Sequence, residues 1–190
     1  MAFRIFVILI FTSICAGAFH SENDDVPNNI ADSVGDSLHW TVNEFLAATE
    51  AMPDSNYGFI PSDGNFEGVR SLGEQVKHVA CTNFAFFNEI EGKTPPEHGE
   101  KGGPQSANCK AELLKYLRDS FAYGDGVLAS INCQKCSRSS RRTLRGPSTK
   151  LGLAVAAVWH ISDHYGQIVE YLRMNGIVPP STQKYALRVR

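Results

Sequence analysis

His160 and His164 stand four residues apart in the run from Trp159 to Pro180. On a helix that spacing stacks the two side chains one above the other on the same face. At about 100° per residue the face also carries Leu153, Ala157, Ile168 and Tyr171, so it is the inward face of an amphipathic helix. Two imidazoles looking into a core need partners for their ring nitrogens, and they would repel each other if both were protonated. A shared metal ion meets both demands. So does a carbonyl or carboxylate across the bundle for each ring, and the spacing alone leaves these two readings level.

The other chemically suggestive residues carry less. His78 lies in an apolar-periodic stretch but about 100° away from Val79, off the centre of the stripe. Taken by itself it reads as an exposed or carbonyl-bonded histidine. Beyond Cys15, the chain holds Cys81, Cys109, Cys133 and Cys136, an even number that admits three full disulfide pairings in an exported protein. Cys133-Gln-Lys-Cys136 has the spacing of a redox dithiol or half a zinc site. No second pair of that spacing and no thioredoxin-like pattern accompanies it, which favours a structural disulfide or inert thiols. Arg138, Arg141, Arg142 and Arg145 among serines could take an anionic substrate, although a solvated connector explains them more simply. There is no Gly-rich phosphate loop, no Ser-His-Asp spacing and no nucleic-acid module.

Four helices would have to position these groups. The first is predicted over residues 31–52, with Val34, Leu38, Val42, Phe45, Leu46 and Thr49 at helical spacing and Pro53 as its stop. A loop pinned by Tyr57, Phe59 and Phe66 follows. The second helix, over 71–91, opens on the capping box Ser71-Leu72-Gly73-Glu74 and buries Leu72, Val76, Val79, Phe87 and Ile90. Residues 92–106 hold four Gly and three Pro and cannot be helical. Extended at about 3.3 Å per residue they could reach roughly 50 Å, longer than the ~30 Å of a 20-residue helix, so a crossover fits here. The third helix, over 107–131, aligns Leu113, Leu117, Phe121, Leu128 and Ile131, with Gly124 and Gly126 as weak points. After a second long loop, the fourth runs over 148–175 until Gly176 and Pro179-Pro180 end it.

Ahead of these helices, Arg4 and the apolar run Ile5 to Phe11 precede Ala16-Gly17-Ala18, the pattern of a secretory signal peptide (residues 1–18). The apolar run is too short to span a membrane, which takes roughly 20 residues. Cleavage after Ala18 would leave 172 of the 190 residues and take the formal charge from −2 to −3. That is one domain of ordinary size, with no charge excess that implies nucleic acid or an anionic membrane. Residues 19–30 read as a flexible polar leader, leaving 31–190 as the domain, secreted or periplasmic.

Three blocks together carry a resemblance: Ala51-Met-Pro-Asp-Ser-Asn-Tyr57, Val69-Arg-Ser-Leu-Gly-Glu-Gln-Val-Lys-His-Val-Ala80, and His160 to Pro180. In order and content they resemble the DinB/YfiT-like superfamily of metal-binding four-helix bundles, and the likeness covers nearly all of the domain. It implies an all-α four-helix bundle, up-down-down-up, with the second and third helices running the same way. It also implies a metal held by one histidine of the second helix and two of the fourth, here His78, His160 and His164. Three neutral imidazoles suit Zn, Ni or another divalent first-row ion and leave a position open. Asp163 stands where such relatives often have Glu and reads as a solvated residue rather than an outer-sphere carboxylate; no general base can be named. The implied function is a metal-dependent hydrolase or a thiol S-transferase, and the alternative is a non-catalytic metal-stabilised bundle. The implied partners are a small-molecule substrate, with a thiol among the candidates, and a second copy of the chain in a homodimer; nucleic acid and a membrane span after leader cleavage are not expected.

Overall fold

The computed structural model describes residues 30–61, 67–94, 109–131 and 149–188, with side chains to residue 185. The signal peptide, residues 19–29 of the expected leader, Phe66, Cys133, Cys136 and Arg138 to Arg145 therefore lie outside the described residues, whereas Ile30, expected as the last leader residue, is helical. The main helices are α1 (Ile30–Ala51), α2 (Leu72–Glu91), α3 (Lys110–Ala129) and α4 (Lys150–Met174). Each falls within three residues of its expected bounds.

The apolar positions of each helix converge on one core. Leu38 and Phe45 of α1, Leu72, Val76, Val79 and Phe87 of α2, Leu117 and Phe121 of α3, and Leu153, Ile161, Ile168 and Leu172 of α4 are almost wholly excluded from water. The Phe45 and Phe121 rings meet edge to face at 6.5 Å. Truncating any of the large aliphatic members to Ala would cost about 2–5 kcal/mol.

Side-chain pairings fix the helix directions. Between α1 and α3, His39 meets Asp125, Phe45 meets Phe121, and Glu50 pairs with Arg118, so these two are antiparallel. Between α2 and α3, Gly73 lies against Leu113, Asn83 Nδ2 donates to the Ser120 carbonyl at 2.7 Å, and Phe87 lies against Gly124. Both series ascend, so α2 and α3 are parallel. Between α2 and α4, Gln75 pairs with Gln167 and Phe86 with His160, an antiparallel series. The topology is up-down-down-up, with α1, α3, α2 and α4 in that order around the square. The end of α2 and the start of α3 consequently stand at opposite ends of the bundle.

Two details differ from expectation, in Pro180 and Gly124, and one left open, the state of two cysteines, is decided. Pro179-Pro180 does not merely end the fourth helix: Pro180 begins a further helix, α5 (Pro180–Arg188), because a proline at the first helical position loses no hydrogen bond. Lys184 ties α5 to Glu44 of α1 at 3.0 Å, and the Tyr165 hydroxyl of α4 donates to Ser181 Oγ at 2.7 Å. Cys81 is buried and Cys109 exposed, and both are free thiols, so the cysteines are not fully paired. Gly124 is a contact surface rather than a weak point. A Cβ built there would sit 2.6 Å from Phe87 Cε2, whereas one at Gly126 would meet nothing within 4 Å.

The two glycines therefore predict opposite signs. Gly124→Ala gains up to about 1 kcal/mol of helix propensity but must displace a fully buried ring, which typically costs about 1–3 kcal/mol, so urea unfolding should show net destabilisation. Gly126→Ala keeps the propensity gain and should stabilise. Equal effects would mean that α2 and α3 do not approach at Phe87.

Candidate metal centre

The site sits where α2 crosses α4, and the phase of each helix is set locally. Ser71 Oγ accepts from the Glu74 amide while Glu74 Oε2 accepts from the Ser71 amide at 2.7 Å, which fixes the first turn of α2. Counting from that cap places Gln75 and His78 on the side of α2 that faces α4. In α4, Thr149 caps the helix by accepting from the Gly152 amide at 3.1 Å. His160, His164, Gln167 and Tyr171 then follow one another down a single face.

The structure brings all three expected histidines together. His78 Nε2 and His160 Nε2 are 3.2 Å apart, and one ligating atom from each of His78, His160 and His164 lies within 4.8 Å of the other two. Nitrogens bound to one tetrahedral ion at 2.0–2.1 Å would be about 3.3 Å apart, so the first pair already has that spacing. His78 thus departs from its isolated reading: it is half-buried and faces His160 rather than a carbonyl. His164 is buried, and His160 is half-buried with the Phe86 ring 5.9 Å from its own.

Burial and neighbouring positive charge keep these rings neutral. Removal from water holds His78 down to about 4, helped by the Arg70 guanidinium and His164. It holds His160 down to about 3, helped by His164, His78 and Arg70. His164 is also lowered, first by burial and then by Arg70, against an opposing pull from Asp163. Rings that are neutral at pH 7 offer lone pairs without first releasing a proton. The Nδ1 atoms of His78 and His164 are buried with no hydrogen-bond partner. Imidazoles that are crowded, neutral and underbonded fit a divalent ion by their donor chemistry. No fourth His, Cys, Asp or Glu joins them among the described residues.

A polar layer that sequence reasoning missed lies one turn away. Gln75 Nε2 donates to Gln167 Oε1 at 2.6 Å and, more weakly, to the Tyr171 hydroxyl at 3.4 Å. That hydroxyl donates to the Arg70 carbonyl at 2.9 Å, and Gln167 Nε2 donates to Asp163 Oδ2 at 3.1 Å. The available signal was spacing: Gln75 precedes His78 by three residues and Gln167 follows His164 by three. Asp163 is exposed and touches the layer only through Gln167. Two surface cavities lie away from the histidines, one of about 260 Å³ between Trp40, Tyr165 and Tyr185, another of about 350 Å³ beside His39 and Asp125.

A family model described as the DinB superfamily matches residues 37–168. No curated protein matches the chain. Among solved structures, a conserved protein from Enterococcus faecalis superposes with a TM-score of 0.59 at 16% identity, over 77% of this chain and 97% of that one. The DinB-like protein YjoA of Bacillus subtilis gives 0.59 at 19% identity, over 76% and 92% of the two chains. YfiT of Bacillus subtilis, described as a probable metal-dependent hydrolase with an unusual four-helix bundle topology, gives 0.57 at 18% identity, over 83% and 94%. At such identities the likeness is one of fold.

The depressed histidines set the acid response of the metal-free protein. Unfolding returns each ring to its ordinary value near 6.5. Between about pH 6.5 and 4 the unfolded chain therefore binds more protons than the folded one, and stability falls as the pH falls; above 6.5 this contribution is flat. Urea midpoints of the metal-free protein across that window should fall more steeply than those of His160→Leu. Identical slopes would show that His160 titrates normally in the fold.

Proposed function

Because the chain belongs to the DinB superfamily, we propose that it is a metalloprotein whose His78, His160 and His164 hold one divalent first-row ion, Zn or Ni, for a metal-dependent hydrolase or thiol S-transferase reaction. The observation that carries this reading is the convergence of three neutral imidazoles with no fourth protein ligand among the described residues. Four protein ligands would describe a closed structural site, whereas three leave a position for an exogenous group.

An ion so held supplies Lewis-acid polarisation and lowers the pKa of a water or thiol at the position left open. The chain's own residues supply the rest. Buried His164 anchors the set, while half-exposed His78 and His160 leave the approach on the solvent side. Phe86 packs on His160 and limits water on that flank. The Arg70 guanidinium, close enough to act on all three imidazoles, attracts an anionic group of an incoming molecule and opposes protonation of the ligands. The signal-peptide pattern supports a secreted or periplasmic protein acting on a small molecule. Export leaves a cytosolic thiol cosubstrate out of reach and favours the hydrolase branch. The description of YfiT as a probable metal-dependent hydrolase points the same way.

Metal analysis of untagged protein should give one ion per chain, and His160→Ala and His164→Ala should each abolish stoichiometric binding. Both variants should stay helical by circular dichroism and melt above Leu117→Ala or Ile168→Ala, since apolar burial holds the bundle and lost metal removes only its binding contribution. Hydrolysis of an ester panel should stop on chelation and return with the ion, while a thiol-transfer panel tests the other branch. Unchanged metal content would refute the ligand set. Unfolding on metal removal would make the site structural and favour the non-catalytic bundle.

A further inference from the structure

The cavity of about 260 Å³ between α1, α4 and α5 is lined by Trp40, Glu44, Tyr165, Ser181, Lys184 and Tyr185. None of the three histidines lines it. Each of the three helices contributes one aromatic ring to its walls: Trp40 from α1, Tyr165 from α4 and Tyr185 from α5. Trp40 and Tyr185 are 71% and 69% exposed, so core packing does not account for them. The Tyr165 hydroxyl donates to Ser181 Oγ at 2.7 Å, a bond that ties α5 to α4 at the cavity. The volume suits a small molecule, just under the roughly 300 Å³ at which such sites commonly begin.

Charge selects what these walls would take. The Glu44 side chain is only 18% exposed. Lys184 Nζ, 3.0 Å from Oε1, is the one bonding partner its carboxylate has among the described residues, whereas an ionised carboxylate can accept about four bonds. Lys184 is 56% exposed, and an ion pair with so wet a partner holds by about fivefold at most. Nor does Lys184 use the rings. Among the described residues the cations that lie over aromatic faces are Lys93 on Tyr123 and Lys110 on Tyr57, each at 5.5 Å. An aromatic face without a cation attracts one by about 2–30-fold, more as the contact is dried. An anion would be opposed by Glu44. An alkylated ammonium spreads its charge over methyl groups, can rest on several rings at once and needs no directed hydrogen bond from the carboxylate.

We propose that this cavity binds a small alkylated ammonium compound, with Trp40, Tyr165 and Tyr185 as its aromatic walls and Glu44 as its counter-charge. Lys184 is the competitor that such a ligand displaces from the carboxylate. The site is independent of the metal reading, since no residue is shared.

The test is the fluorescence of Trp40, made the sole tryptophan by Trp159→Phe. Choline is titrated at constant ionic strength against dimethylbutanol, its uncharged carbon isostere. Choline should give a saturable change and the isostere none. Glu44→Gln should weaken choline binding by at least about fivefold, and Lys184→Met, which frees the carboxylate, should tighten it by up to about fivefold. Tyr185→Leu should weaken it about 2–30-fold. Equal responses to choline and the isostere would make the cavity a plain apolar crevice and overturn the proposal. So would choline binding that Glu44→Gln leaves unchanged, or the lack of a saturable response both with Lys184 present and in Lys184→Met. The comparison of choline with its isostere decides the matter alone if Glu44→Gln does not fold.

Discussion

The centre depends on the register of α2 against α4. Because the two helices run antiparallel, the pair Gln75 and His78 on one meets Gln167 and His164 on the other, each polar residue opposite a polar partner and each imidazole opposite an imidazole. Sliding α4 by a turn so that Ile168 replaces His164 would set a fully buried apolar side chain against His78, where its ring nitrogen finds no partner. Caps at Ser71 and Thr149 hold each helix at the required phase.

That register is held from behind. The face of α2 opposite the site packs on α3 so closely that the Phe87 ring rests on the bare backbone of Gly124. A helix braced in this way cannot rotate without opening a void or driving the ring into a backbone, and interiors packed to crystal-like density resist both. The parallel run of α2 and α3 lets one helix serve both contacts. It turns its back to α3 and its edge to α4, which is why its buried set is wide, from Leu72 and Gln75 to Glu89 and Ile90.

Much of this was legible in the chain. The 3.6-residue periodicity located four helices and their inward residues, because burial of a single stripe is what amphipathic spacing encodes. The capping box at Ser71 was readable for the same local reason, and the four-residue step from His160 to His164 showed a shared face. What escaped was what a single helix does not contain. His78 sits at the edge of its stripe and looks solvent-facing until α4 is placed beside it. Gly124 is a poor helix residue on propensity alone, and only the ring of Phe87 shows why a side chain is excluded there. Pro180, read as part of a helix stop, starts a further helix instead, six residues after α4 has ended at Met174. Gln75 and Gln167 carried a spacing signal, but amides in helices are commonplace, and only their mutual bond distinguishes them.

His78 and His160 are separated by 82 residues, with all of α3 between them. Local helix formation can bring His160 and His164 together early, whereas the third nitrogen arrives only after a long loop has closed, a non-local event on the slow side of folding. Interactions completed after the rate-limiting barrier change how quickly a protein comes apart more than how quickly it assembles. A ligand gathered by these three side chains would therefore act as a brake on unfolding and lengthen the lifetime of the folded state, while the route by which the bundle forms remains governed by its apolar faces.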